Sequence, residues 1–160
     1  MLLKSLGPLR VAVAAFALSL AACATPPVSA AATTKSGLAL AVVTLRTGAG
    51  KLYRYKVEVA RSSAEQAKGL MFRKTMPRDA GMIFPISPPR FASFWMENTF
   101  LPLDIIFIAP DGKVLNIVQG QPLSRQPVSS VALAGSVLEL NAGEAARIGL
   151  EPGDDVEVRP

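Results

Sequence analysis

Histidine is absent from the 160 residues, and there is only one cysteine. Without histidine the chain cannot build a Ser-His-Asp or Cys-His nucleophile system, a His-ligated zinc site or a His-held haem. It also lacks the residue that most often serves as a general base. Since Cys23 has no second cysteine to pair with, an intramolecular disulfide is excluded and the fold must depend on its core.

Aromatic residues and sequence motifs for cofactors are also scarce. Aromatic residues make up 6% of the chain, with one tryptophan, which is low for an enzyme that stacks sugars. There is no phosphate-cradling glycine loop, no CxxC and no dinucleotide fingerprint. Removal of a leader that carries Lys4 and Arg10 would lower the formal charge from +5 to +3, which is too small to indicate a nucleic-acid partner. We therefore expect no cofactor and no nucleic-acid ligand.

Residues 1–22 have the layout of a secretory signal peptide, with Lys4 and Arg10 preceding an apolar run from Val11 to Ala22. The run is shorter than the roughly 20 residues that a spanning helix needs. It ends in "LAAC", which resembles the lipobox of bacterial lipoproteins. That resemblance implies lipidation at Cys23 and a membrane anchor facing the periplasm or the cell surface. The alternative is ordinary cleavage near "PPVSAAA", which would give a soluble periplasmic or secreted protein.

The remainder divides into a tether and one domain. Residues 23–37 are rich in Ala, Thr, Pro and Ser and carry too little apolar surface to form a core, which indicates a flexible tether. Residues 38–160 have the length of a single domain.

Strand patterns dominate this domain. In "KLYRYKVEVA" apolar and charged residues alternate with a period of two, and "LALAVVTLR" precedes it across the turn-like "TGAGK", which predicts a hairpin. Asp111-Gly112 between "LDIIFIAP" and "KVLNIVQG" predicts a second hairpin. Further strands are predicted at "GMIFPI", "FASFWM", "SVLEL" and "DDVEV".

Two short helices complete the prediction. Ser62 and Glu65 form a capping-box pattern that ends at Gly69, and Asn141 with Glu144 repeats it before Gly149. Eight strands and two short helices predict a mainly β fold, either a compact β-sandwich or a partly closed barrel.

Three stretches resemble one known family: "GLMFRKTMPRDAGMIF", "FWMENTFLPLDIIFIAPDGKV" and "VLELNAG". In this order and spacing they are similar to DUF192, also called UPF0127. The resemblance implies a compact, mainly β domain of a family with many exported members and no established activity. The residues that match its pattern are Gly69, Leu70, Met71, Arg73, Met76, Pro77, Gly81, Met82, Phe84, Trp95, Met96, Asn98, Thr99, Pro102, Asp104, Gly112, Leu140 and Gly143.

The first chemical hypothesis concerns the methionines. Met71, Met76, Met82 and Met96 all fall within the motif regions, and thioether sulfur is a soft ligand that suits Cu(I). The alternative is core packing, in which methionine fills irregular gaps.

A polar group forms the second hypothesis. A buried Asp104 needs partners, and we expect these to be the backbone of the Asn98–Leu101 turn and the Arg73 guanidinium. In that case Asp104 stabilises a turn. The alternative pairs it with Glu97 for glycosidic cleavage. Trp95, predicted to face away from Phe94 and Met96, marks a binding surface or a core strand. The ligand-binding candidates are Arg73, Arg90, Trp95, Asn98 and Asp104.

The function indicated by the sequence is that of an envelope-anchored binding or structural domain without catalysis. A hydrolase acting on cell-wall or polysaccharide material through Glu97 and Asp104 is the alternative, and Met-based Cu(I) handling is the third. The expected partners are the membrane, through Cys23, and an envelope protein or polysaccharide.

Overall fold

The computed structural model describes residues 36–159 as a mainly β domain with two short helices. The predicted signal peptide, Cys23 and most of the predicted tether lie outside these residues. Within them, no helix combines the length and apolar character needed to cross a membrane. The elements are β1 (Leu40–Arg46), β2 (Leu52–Val59), α1 (Ser63–Lys68), β3 (Ala80–Arg90), β4 (Ser93–Phe94), β5 (Leu103–Ile108), β6 (Val114–Gly120), β7 (Val128–Ser129), β8 (Ala134–Asn141), α2 (Glu144–Ile148) and β9 (Asp155–Arg159).

Seven strands form one sheet in the order β6-β5-β8-β3-β2-β1-β9, and β4 pairs with β7 in a small second sheet. Both predicted hairpins are present, because β1 pairs antiparallel with β2 and β5 pairs antiparallel with β6. The pairing of β2 with β3 is parallel. The sheet curls until its two edges meet at the Lys113–Asp155 bridge, without closing into a barrel. The mainly β prediction is confirmed.

Both faces of the sheet are covered, and a separate hydrophobic core lies on each face. The first core lies on the face that receives α2 and includes Val43, Val57 and Leu138. The second lies on the opposite face and includes Phe84, Phe107 and Val137. In β5 the alternation of side chains sends Ile106 and Ile108 to the first core and their neighbours to the second. A fully buried strand of this kind needs covering layers on both sides.

The segment from 91 to 102 helps to cover the second core. The predicted strand "FASFWM" is reduced to the two residues of β4. Phe94 nevertheless packs edge-on against Phe84, with ring centroids 5.1 Å apart, and against Phe107 at 6.2 Å. Met96 is buried in the same core. Because Phe94 and Met96 point inward, Trp95 points outward and is 52% exposed.

Two local features show how helix caps position the elements around the second core. The capping box of α1 is confirmed: Ser62 Oγ accepts from the Glu65 N–H, and the Glu65 carboxylate accepts from the Ser62 N–H. The chain then leaves α1 through Gly69, whose φ of +45° favours glycine. The C-terminal end of α1 is thereby placed beside Phe84 of β3.

Candidate functional site

Glu139 stands near the middle of the second face of the sheet. Its neighbours along β8, Leu138 and Leu140, point into the first core, so strand alternation sends the Glu139 side chain to the other face. In the sheet register Glu139 lies between Ile105 of β5 and Met82 of β3, both of which are buried in the second core. The sequence therefore places a carboxyl group between two apolar side chains.

The Glu139 carboxyl is buried without a partner. The residue is 5% exposed, and its carboxyl makes no hydrogen bond or ion pair with any residue from 36 to 159. Burial alone raises the pKa of this carboxyl from 4.5 to about 8, because a low-dielectric environment disfavours the charged form. At neutral pH the group is mostly a neutral acid that can donate one hydrogen bond.

The other buried acids of the described chain all have partners. Asp104 and Asp154 accept hydrogen bonds from the N–H groups of Ala145 and Glu151. Glu58 receives two hydrogen bonds from one arginine, and Glu144 is bonded by two arginines and a tyrosine. Buried polar groups are normally satisfied in this way, since an unmade bond costs about 1–3 kcal/mol. Glu139 is the exception within residues 36–159.

A cleft of about 180 Å³ opens above Glu139. Its walls come from the end of α1 and the turn that follows, from β3, and from the β4 segment. Phe84, Ile86 and Phe94 supply apolar surface, while Thr99 and Ser93 supply hydroxyl groups. The complete lining is Gln66, Ala67, Lys68, Gly69, Leu70, Met71, Phe84, Ile86, Arg90, Ser93, Phe94, Trp95, Thr99 and Glu139.

Two cations and the only tryptophan stand at the exposed rim of this cleft. Lys68 and Arg90 are exposed lining residues, and neither makes an ion pair within residues 36–159. Trp95 also lines the cleft. No other acid lines it besides Glu139. With Glu139 neutral, the charge that a ligand meets in the cleft is positive.

The structure brings together only some of the residues that the sequence analysis singled out. Arg90, Trp95 and Met71 line the cleft. Asn98 lies nearby in a turn. Its side-chain Nδ2 is 4.0 Å from the Met71 Sδ, and its backbone carbonyl accepts from the Phe72 N–H. Arg73 does not line it.

Arg73 is paired with an acid other than the expected one. Its Nη1 and Nη2 bond the two carboxylate oxygens of Glu58 at 2.6 and 2.7 Å. Hydrogen bonding to Glu58 raises the pKa of the Arg73 guanidinium, which favours its charged form. Glu58 lies on the same face as Glu139, with Met82 between them in the register. Of these two acids in one row across the sheet, only Glu58 is bonded to an arginine.

The partners expected for Asp104 were wrong. Its Oδ2 accepts from the Ala145 N–H at 2.8 Å, at the start of α2, and it faces the first core. The predicted cap at Asn141 was also wrong, because Asp104 accepts the hydrogen bond at the start of α2. Gly143 is the N-cap of α2 and makes no side-chain bond, while Asn141 donates to the carbonyl of Pro77. A carboxylate from β5 supplies the acceptor that this helix start needs.

Glu97 and Asp104 do not form a pair of accessible acids that one substrate could contact. Asp104 is 4% exposed. Glu97 pairs at the surface with Arg125, at 2.5 Å. Glycosidases need two carboxyl groups that flank one substrate bond, and a buried Asp104 is not accessible to such a substrate.

The methionine sulfurs do not form one exposed cluster. Met82 and Met96 are fully buried in the second core, while Met71 and Met76 are half-buried. Met96 fits against Gly120, where an added Cβ would collide with its sulfur. Packing therefore explains Met82 and Met96. Residues 36–159 also contain no group of three or more Asp, Glu, Cys or His side chains placed to hold a metal.

A second charged cluster, formed by Tyr55, Arg78, Glu144 and Arg147, stabilises the start of α2 on the opposite face. Burial favours a raised pKa for Glu144, but hydrogen bonds from Arg147 and Arg78 outweigh it and lower the pKa. Burial and the nearby Glu144 raise the pKa of Tyr55 to about 12. Every member has a partner, so this cluster has the character of a structural ion network.

The sequence analysis missed Glu139 as a site residue, although it lies within the quoted "VLELNAG". The available signal was that Glu139 is the only charged residue in β8. A single acid in a strand otherwise belongs on a wet face, and the sequence did not show that the β4 segment covers that face.

Comparisons with known proteins identify the family of this chain and two similar solved structures. The chain belongs to the DUF192 family (Uncharacterized ACR), whose model matches residues 43–158. No protein among the curated ones matches it. A protein of unknown function from Novosphingobium aromaticivorans DSM 12444 is 45% identical, with a TM-score of 0.77, covering 81% of this chain and 94% of its own. A candidate transcription regulator from Sinorhizobium meliloti 1021 is 39% identical, with a TM-score of 0.74, covering 76% and 95%.

Proposed function

We propose that this protein is an exported, lipid-anchored domain that binds a small ligand in the Glu139 cleft without catalysing a reaction. The observation that carries the proposal is the unpaired Glu139 at the base of the cleft, in a protein whose other described buried acids are all bonded. A buried polar group that is costly to leave unbonded, at the base of a cleft, is typical of a ligand site.

Glycosidic hydrolysis at this site would need a second carboxyl group, and the cleft supplies none. A neutral glutamic acid can serve as a general acid, but hydrolysis of a glycosidic bond needs a second carboxylate. Glu139 is the only acid in the lining, and the chain contains no histidine. Binding is therefore favoured over the hydrolase alternative. Regulation of transcription, named for the Sinorhizobium relative, is not favoured because the leader indicates export.

The anchor is tested by fractionating cells that express the full-length tagged chain. We expect the wild type in the membrane fraction and the Cys23→Ser variant in the soluble fraction, because the variant has no thiol to acylate. Equal distribution of both variants would contradict the lipid anchor.

The cleft is tested on the same preparations by identifying small molecules that co-purify with the protein. We expect one compound to be enriched with the wild type and with Cys23→Ser, and lost from Glu139→Leu. The matched control is Glu157→Gln, an exposed position on β9 far along the sheet order from β8, which should retain the compound. Equal recovery from Glu139→Leu and the wild type would contradict the cleft as the binding site.

A further inference from the structure

We infer that the cleft takes an amphipathic organic anion whose uncharged oxygen accepts a hydrogen bond from Glu139 and whose negative group lies at the rim beside Lys68 and Arg90. This inference rests on the proposed binding function and names its ligand class.

The base of the cleft selects a hydrogen-bond acceptor. Glu139 is flanked by Ile105 and Met82 and has no partner within residues 36–159. In its neutral form it presents an O–H group that lacks an acceptor. A ligand oxygen at this depth would remove the cost of the unmade bond, whereas a ligand charge there would itself have to be desolvated.

The walls select an apolar body, and the rim selects a negative charge. Phe84, Ile86 and Phe94 give the walls their apolar part. Lys68 and Arg90 contribute the only charges of the lining other than Glu139. They are exposed and without ion-pair partners in the described chain, so a carboxylate or phosphate can approach them while it keeps part of its hydration.

The charged groups around Glu139 set the expected pH dependence. They are Lys68 from α1, Arg90 from the end of β3, and the mutually neutralised Glu58–Arg73 pair on the same face. The side chains that flank Glu139 from β5 and β8, Ile105, Val137 and Asn141, carry no charge. As pH rises through about 8, Glu139 ionises, loses its donor and repels an anion.

The test uses full-length Cys23→Ser protein and four matched probes of similar length. 6-Oxoheptanoate carries both a ketone oxygen as acceptor and a carboxylate. Heptanoate lacks the ketone, heptan-2-one lacks the charge, and heptylamine carries a positive charge instead of a negative one. Binding is measured by calorimetry and by the fluorescence of Trp95, the single tryptophan, which lines the cleft.

We expect 6-oxoheptanoate to bind most tightly and to weaken about tenfold between pH 6 and pH 9, which is the fall in the fraction of neutral Glu139. Glu139→Gln should bind it several-fold more weakly at pH 6 and show no such pH dependence, since an amide donates without titrating. Lys68→Gln combined with Arg90→Gln should abolish the preference over heptan-2-one, and Glu157→Gln should behave as the parent.

Tighter binding of heptylamine, with affinity that rises with pH, would overturn the anion inference while leaving the cleft as a binding site. Preference for heptan-2-one in the parent protein would do the same. If none of the four probes gave heat or changed Trp95 fluorescence, the anion inference would fail. The proposed binding function would fail separately if no compound co-purified with the cleft.

Discussion

Adjacent strands of one sheet carry two buried carboxyl groups that face opposite ways. Asp104 of β5 points into the first core and accepts a hydrogen bond from the N–H of Ala145. Glu139 of β8 points into the second core and makes no bond within residues 36–159. Both are at least 95% buried, so burial alone does not tell a structural acid from a functional one.

The difference lies in what covers each face. On the first face a helix start is packed against the sheet, and its free N–H groups match a carboxylate. On the second face the covering layer is the end of α1 and the β4 segment, which leave a cleft instead of a donor. A satisfied acid stabilises the fold, while an unsatisfied one lowers stability and is available to a ligand.

The largest expected effect is on the pH dependence of stability. Glu139 has a pKa of about 8 in the folded protein against 4.5 when free. Between these values the folded state holds a proton that the unfolded state has lost, so the free energy of unfolding falls as pH rises from about 4.5 to about 8. Glu139→Gln should match the wild type at pH 4 and exceed it by about 3–5 kcal/mol at pH 9. Urea unfolding followed by circular dichroism at several pH values measures this.

Glu157, an exposed acid of β9, controls for general charge effects. Glu157→Gln removes one negative charge without removing a buried carboxyl, so it should shift the curve by less than about 0.5 kcal/mol at every pH. If the free energies of unfolding of the wild type and Glu139→Gln changed in parallel with pH, Glu139 would be ionised in the folded protein at neutral pH, and the contrast with Asp104 would fail.

The next effect is the loss of the acceptor on the first face. Asp104→Ala leaves the buried Ala145 N–H unbonded and should lower the free energy of unfolding by about 1–3 kcal/mol. Asp104→Asn keeps an oxygen that can accept and should cost less than Asp104→Ala. Thermal melts of the three proteins at pH 7 would decide it. An Asp104→Ala protein with wild-type stability would show that the bond to α2 contributes little.

The smallest effect on stability is expected at the rim. Trp95 is 52% exposed, and Trp95→Ala should change the free energy of unfolding by no more than about 0.5 kcal/mol. Phe94→Ala, one residue away, removes a ring packed between two others and should cost about 3 kcal/mol. Urea titrations of the two variants test this. Equal losses would place Trp95 in the core and not at a binding surface.

Much of the fold could be predicted because the signals were local. Alternation in β2 and β5, the Asp111-Gly112 turn and the capping box of α1 each depend on a few neighbouring residues, and all are present. The N-cap of α2 failed because the acceptor comes from Asp104, 41 residues earlier in the chain. A pattern within one segment cannot reveal a partner from another.

The site was harder to predict because it depends on three separate segments. Arg90 and Trp95 were among the ligand-binding candidates, and both line the cleft. Glu139 was not, because its alternation with Leu138 and Leu140 is equally typical of a strand with one wet face. Only the packing of Phe94 and Leu70 over β8 and β3 turns that face into an interior.

The most direct test is the titration of the Glu139 side chain by nuclear magnetic resonance. The protein is labelled with carbon-13 at the glutamate carboxyl groups, and Glu139→Gln assigns the signal by its loss. We predict that the Glu139 carboxyl titrates near pH 8, well above the ordinary range of glutamate, near pH 4.3. A midpoint for Glu139 near that of a free glutamate would contradict a neutral acid at the base of the cleft.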